Sequence, residues 1–98
     1  MPPEFEWDAT KARENLKNHG VTFEEALTVF ADPLARIFDD PDHSEDERRE
    51  LIIGHSVQQR LLIVSFIERE PRTRIISARE ATTHERRDYE ENTPKTTT

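Results

Sequence analysis

Leu61-Leu62-Ile63-Val64-Ser65-Phe66-Ile67 is the stretch on which the fold turns. It is apolar apart from Ser65, and its β-branched and aromatic residues suit a pleated, buried backbone. Neighbouring side chains on a strand point to opposite faces. This strand is therefore apolar on both sides. Helices must cover at least one face, and something must cover part of the other. Working outward, Leu51-Ile52-Ile53-Gly54-His55 is a strand candidate on the N-terminal side, joined through a turn at Val57-Gln58-Gln59-Arg60. On the C-terminal side, Glu68-Arg69-Glu70-Pro71-Arg72 supplies a turn and Thr73 to Ala78 a further strand. Three strands with tight connections predict an antiparallel meander over 51–56, 61–67 and 73–78.

Helical spacing flanks this sheet. Asp8 is a helix N-cap, with Ala9, Ala12 and Leu16 on one face behind it and Gly20 as the stop. Thr22 with Glu25 reads as a capping box, followed by Phe23, Ala26, Leu27 and Phe30 facing the core until Asp32-Pro33. Phe5-Glu6-Trp7 is a short extended segment and Ala35 to Phe38 a short strand. The acidic run from Asp39 to Glu50 is a loop. Thr82 and Glu85 form a second capping box, opening a helix through Tyr89 to about Glu91. Helices are thus expected near 9–18, 22–30 and 82–90. The whole is a small α+β fold: an antiparallel sheet, two N-terminal helices and a C-terminal helix. Residues 1–92 form a single domain, and the tail 93–98 has no apolar anchor and is expected to be disordered.

The 98 residues are 33% hydrophobic and 36% charged, enough for one small core. No run is long and apolar enough to span a bilayer, the N-terminus lacks signal-peptide features, and cysteine is absent. A cytoplasmic protein without disulfide or thiolate chemistry and without membrane contact is expected. The net charge is -7, which argues against an indiscriminate nucleic-acid coat. The charge is uneven. Residues 1–50 are at -8 and residues 51–98 at +1. Between 60 and 87, seven arginines face four glutamates. Arginine suits bidentate pairing with phosphate or carboxylate. Such a cluster is either a solvated surface with local ion pairs or an anion-binding face.

Several segments, taken in order, resemble one family. These are Phe5-Glu6-Trp7-Asp8; Lys11 and Asn15; Lys17-Asn18-His19-Gly20-Val21; Phe23-Glu24-Glu25-Ala26; Val29-Phe30-Ala31-Asp32-Pro33; His43-Ser44 with Glu47 and Arg48; Ile53-Gly54; Arg74-Ile75-Ile76-Ser77-Ala78-Arg79; Ala81-Thr82; and Glu85-Arg86 with Tyr89. Over roughly residues 5–90 the chain is similar to the BrnT toxins of BrnT/BrnA type II toxin–antitoxin systems. The resemblance implies a RelE-like fold and a toxin that is a ribonuclease and arrests translation. It also implies a BrnA-like antitoxin partner, two toxins being held by an antitoxin dimer that carries the operator DNA contact.

Metal-independent RNA cleavage through the 2′-hydroxyl needs a base, cations to hold the phosphate and an acid for the leaving oxygen. No cofactor is called for. His19, beside Lys17 at a helix end, is the candidate for proton transfer, and pairing with the last helix carbonyls is its alternative. Arg79 and Arg86 are the candidates for the scissile phosphate, with Arg74 a third. Strand alternation puts Arg74 with Ile76 and Ala78 on one face and Arg79 with Ser77 on the other, so the two arginines are not expected to share a face unless Arg79 lies at a strand end. Glu85 and Tyr89 are expected to position these arginines at the RNA surface, the alternatives being the capping box and core packing. His55 is either a sheet-surface residue or part of the site. His43 is an exposed loop residue, His84 is ill placed to carry charge in a first helical turn, and Trp7 is a core residue. A metal site is not expected, because His43 and its acidic neighbours lack a spacing that forces tetrahedral geometry. The competing reading is a non-catalytic protein-binding module acting in a complex that controls transcription.

Overall fold

A computed structural model describes residues 4–40 and 48–92. The elements in chain order are β1 (Glu4–Glu6), α1 (Ala9–His19), α2 (Phe23–Thr28) with a 3-10 turn (Val29–Ala31), β2 (Arg36–Asp39), β3 (Arg49–His55), β4 (Leu61–Arg69), β5 (Arg72–Glu80) and α3 (Thr83–Asn92). His43, most of the expected acidic loop and the tail 93–98 lie outside the described residues. The strands pair in the order β1-β5-β4-β3-β2. The expected meander is β3-β4-β5, extended by β2 on one side in antiparallel pairing. On the other side β1 joins β5 in parallel, so the sheet is mixed. Parallel neighbours need a long crossover, which the whole chain between β1 and β5 provides.

Both faces of β4 are covered, as its sequence demands. Leu62, Val64 and Phe66 bury against Val21, Phe23, Ala26 and Val29 of the helical layer, together with Ile52, Ile75 and Ala78. On the opposite face Leu61 and Ile53 pack under Tyr89 of α3. That second cover is partial, and it leaves the middle of this face open.

The helix boundaries follow their caps. The Asp8 carboxylate accepts from the Lys11 amide at 3.3 Å. Gly20, at φ +70°, donates to the Leu16 carbonyl and stops α1 at His19. Leu16, expected to face the core, is 50% exposed, and Asn15 is the buried residue instead. The reason is that α1 packs along the edge of β5, where an amide is more useful than a leucine. The Thr22 hydroxyl accepts from the Glu25 amide at 3.0 Å, but the Glu25 carboxylate does not return to Thr22. It is taken by Arg60 and by the Ser56 hydroxyl. The box at α3 does close both ways, at 2.8 and 3.1 Å. Gly54 is required by close approach, since a Cβ there would lie 2.8 Å from the Cβ of Ala35.

One irregularity decides what the open face presents. Ser65 pairs with Ser77, but the next residue, Phe66, pairs with Ile75. Ile76 is an extra residue on β5, a β-bulge that resets the alternation. Ile75 and Ala78 consequently both face the helices, while Arg74, Ser77 and Arg79 lie opposite Ile67, Ser65 and Ile63 on the other face. Strict alternation separated Arg74 from Arg79. The bulge puts them on one face, with Arg79 still within the strand.

Candidate functional site

A cleft of about 370 Å³ lies on the open part of that face. β3 contributes Arg49 and Leu51, β4 Ile63 and Ser65, and β5 Ser77 and Arg79; His19 comes from the end of α1 and Asp40 follows β2. His19 reaches it because of how α1 is attached. β1 covers β5 only at Arg72–Arg74. Beyond this, Asn15 acts as a substitute strand: its Oδ1 accepts from the Ala78 amide at 3.0 Å, and its Nδ2 donates to the Ala78 carbonyl at 2.8 Å. The same Nδ2 donates to the Val21 carbonyl at 2.9 Å, tying down the chain just past Gly20. A buried amide satisfied on both sides fixes the last turn of α1, and His19 with it, beside the end of β5.

Arg79 is held by a fork. Its Nη1 and Nη2 donate to the two carboxylate oxygens of Glu85 at 2.8 and 2.9 Å, and Nη1 is also 3.3 Å from the Glu80 carbonyl. The Arg79 side chain keeps 40% of its surface exposed. Its Nε–H has no hydrogen-bond partner among the described residues. The guanidinium holds the Glu85 carboxyl at about 2, well below the usual carboxylate range, helped by the Thr82 backbone. Glu85 raises the Arg79 value in return. The helix cap and the arginine clamp are therefore one carboxylate, which joins two readings that the sequence left as alternatives.

Arg74 belongs to a second basic group further along β5. Its Nη1 lies 3.2 Å from a Glu6 carboxylate oxygen, with Arg72 at 3.6 Å and Arg69 at 4.0 Å from the same carboxylate. The three guanidinium groups have the Glu6 carboxylate in common. Lys17 is exposed on the last turn of α1. Arg86 is half-buried on α3, has no ion pair among the described residues, and is not in the cleft lining. Tyr89 is 6% exposed and its hydroxyl donates to the Leu34 carbonyl at 3.1 Å, so it packs the core, the alternative that the sequence left open, and it is not in the cleft lining. His55 lies edge-on to Tyr89, with Nδ1 3.8 Å from an Asp32 carboxylate oxygen. Trp7 packs edge-on against Phe23 in the core.

Four contributors were not singled out as site residues from sequence. Arg49 enters the cleft from β3, and Ser65 and Ser77 face each other across its floor. Arg60, read as a turn residue, grips the buried Glu25 with Nε and Nη2 and also reaches Glu80 and the Gly20 carbonyl. It braces α1, α2 and the end of β5 behind the cleft. Ser65 had a visible signal, as the one hydroxyl in an apolar run; Arg49 and Arg60 had none. Among the described residues, no three His, Asp or Glu side chains group as metal ligands.

The sequence matches the family described as "Ribonuclease toxin, BrnT, of type II toxin-antitoxin system" over residues 7–85. Among solved structures, the ribonuclease toxin BrnT of Brucella abortus is similar, with a TM-score of 0.64 and 21% identity, covering 84% of this chain and 100% of that one. At that identity the likeness establishes the α+β fold. The curated proteins contain no match.

Proposed function

Because the chain belongs to the BrnT family of type II toxin–antitoxin systems, we propose that it is a metal-independent endoribonuclease that arrests translation. The observation that carries this reading is the convergence of His19 and Arg79 in one cleft. RNA lies across the open sheet face. Arg79, oriented by Glu85, places its free Nε–H edge against the scissile phosphate, and Arg49 adds a second cation from β3. His19 takes the proton of the 2′-hydroxyl as the oxygen attacks phosphorus, and the bond to the 5′-oxygen breaks with a proton returned to that oxygen. Lys17 and Arg74 contact flanking phosphates. Arg86 is outside the cleft lining and contributes less.

A BrnA-like antitoxin, as a dimer bridging two toxins, is the partner that restrains this activity. Operator DNA is assigned to the antitoxin, since this chain carries -7. The test is RNA cleavage by purified, folded variants. Arg79→Ala loses about a hundredfold, the magnitude typical of removing one donor to transition-state charge. His19→Ala loses at least about a hundredfold. Full activity in both variants overturns the assignment. Wild-type protein that arrests growth without cutting RNA would favour the non-catalytic reading.

A further inference from the structure

Ser65 stands apart from the other polar side chains among the described residues. It is 6% exposed, and its Oγ is the one buried side-chain oxygen or nitrogen among the described residues without a hydrogen-bond partner. An unpaired buried hydroxyl is costly, and a methyl or valine side chain in an apolar strand would avoid that cost. Ser65 also lines the cleft, between Leu51 on one neighbouring strand and Ser77 on the other, with Ile63 two residues back on its own strand.

We propose that the cleft seats a single ribonucleotide with its base inward, and that Ser65 is the residue that hydrogen-bonds the base edge. This inference rests on the ribonuclease reading above. The volume of about 370 Å³ lies at the low end of the range of about 300–1,000 Å³ typical of ligand pockets. That suits one unstacked nucleotide. The floor has two characters. Leu51 and Ile63 are half-buried and offer apolar surface to a ring face, and the two serines offer groups that both donate and accept. Two cations, Arg49 and Arg79, also line the cleft, with His19 and Asp40 beside them. Phosphate therefore belongs with the cations and the base on the apolar floor between them. Sequence-tuned RNA recognition works in this way, by splaying out a base and bonding its edge. The Ser65 Oγ is buried in the floor, so bonding the base edge requires it to turn to another staggered χ1 well.

The experiment is titration of wild type and Ser65→Ala with each nucleoside 3′-monophosphate and with inorganic phosphate, followed by amide chemical shifts. Thermal melting of both proteins and cleavage of RNA by both run alongside. Wild type is expected to bind at least one mononucleotide in the cleft, and Ser65→Ala to bind it roughly fivefold more weakly while inorganic phosphate binding is unchanged. Ser65→Ala is also expected to melt at the same temperature or higher, because an unpaired hydroxyl has been removed. A purely structural serine gives the opposite pattern, a lower melting temperature with unchanged nucleotide binding, and that result overturns the proposal. Absence of mononucleotide shifts at cleft residues in wild type overturns it as well. Failure of the ribonuclease reading is separable: nucleotide binding that depends on Ser65, in a protein that cuts no RNA, removes catalysis and leaves the subsite.

Discussion

Glu25 and Glu85 are both carboxylates held by arginine, and their surroundings give them different consequences. Glu25 is 4% exposed and is held by Arg60 and Ser56, with its carboxyl below the ordinary range chiefly because of the Arg60 hydrogen bonds. Removing Arg60 leaves a buried charge uncompensated. Arg60→Ala is expected to cost roughly 3 kcal/mol in urea unfolding. Arg60→Met with Glu25→Leu together should recover much of that loss, since an apolar pair needs no counter-charge. Glu85 is more exposed, and its interest lies in pH. A carboxyl depressed in the folded state stabilises fully above its unfolded value, and that contribution is lost as pH falls through its folded value. For Glu85 the window runs from about 4.5 down to about 2. Carboxyl carbon shifts in a pH titration should show Glu85 titrating near the bottom of that window in wild type. In Arg79→Gln it should move back up, because the guanidinium was the main cause of the depression. An unmoved midpoint would mean that the fork does not form in solution.

At the scale of elements, the join between α1 and β5 carries the site. β5 has lost its β1 neighbour by Ala78, and Asn15 supplies the missing donor and acceptor. Asn15→Ala leaves the Ala78 amide and carbonyl unpaired against an apolar methyl, at an expected cost of about 2–3 kcal/mol. The last turn of α1 should then loosen, and His19 with it. Hydrogen exchange at the Ala78 amide should accelerate, and RNA cleavage should fall even at temperatures where the variant is fully folded. Retained cleavage alongside faster exchange would show that His19 needs no such anchoring. The bulge at Ile76 belongs to the same scale. Bulges commonly re-aim side chains beside functional sites, and this one brings Arg74 round to the face of Arg79.

Over the whole molecule, charge is segregated. A chain at -7 still presents Arg69, Arg72, Arg74 and Arg79 on one sheet face. Glu6 is the counter-charge shared by the first three. Glu6→Gln should raise affinity for a single-stranded RNA at low salt. Arg72→Ala should weaken it and lower the magnitude of the salt slope by about 0.7, the value for one fewer phosphate contact on a single strand. Both variants should approach wild type as salt is raised. A slope that Arg72→Ala leaves unchanged would place the RNA elsewhere.

Much was legible in the sequence because it is local. The apolar run 61–67 specifies a strand buried on both faces, and the spacing of turns around it specifies β3-β4-β5. Asp8, Gly20 and the Thr82–Glu85 box mark helix ends within a few residues of where their hydrogen bonds form. The ordered motifs from Phe5 to Tyr89 pointed to the family. Tertiary structure decided the rest, because the partners lie far apart in the chain. Asn15 meets Ala78 63 residues away and Arg60 meets Glu25 35 residues away, so neither the true core face of α1 nor the diversion of Glu25 from its cap could be read from neighbours. The sharing of one face by Arg74 and Arg79 depends on an extra residue that β5 absorbs only when paired with β4. Sequence spacing dictates backbone preference and side-chain alternation over a few residues. Which alternation survives, and which polar groups meet around it, is settled only when the sheet and helices pack.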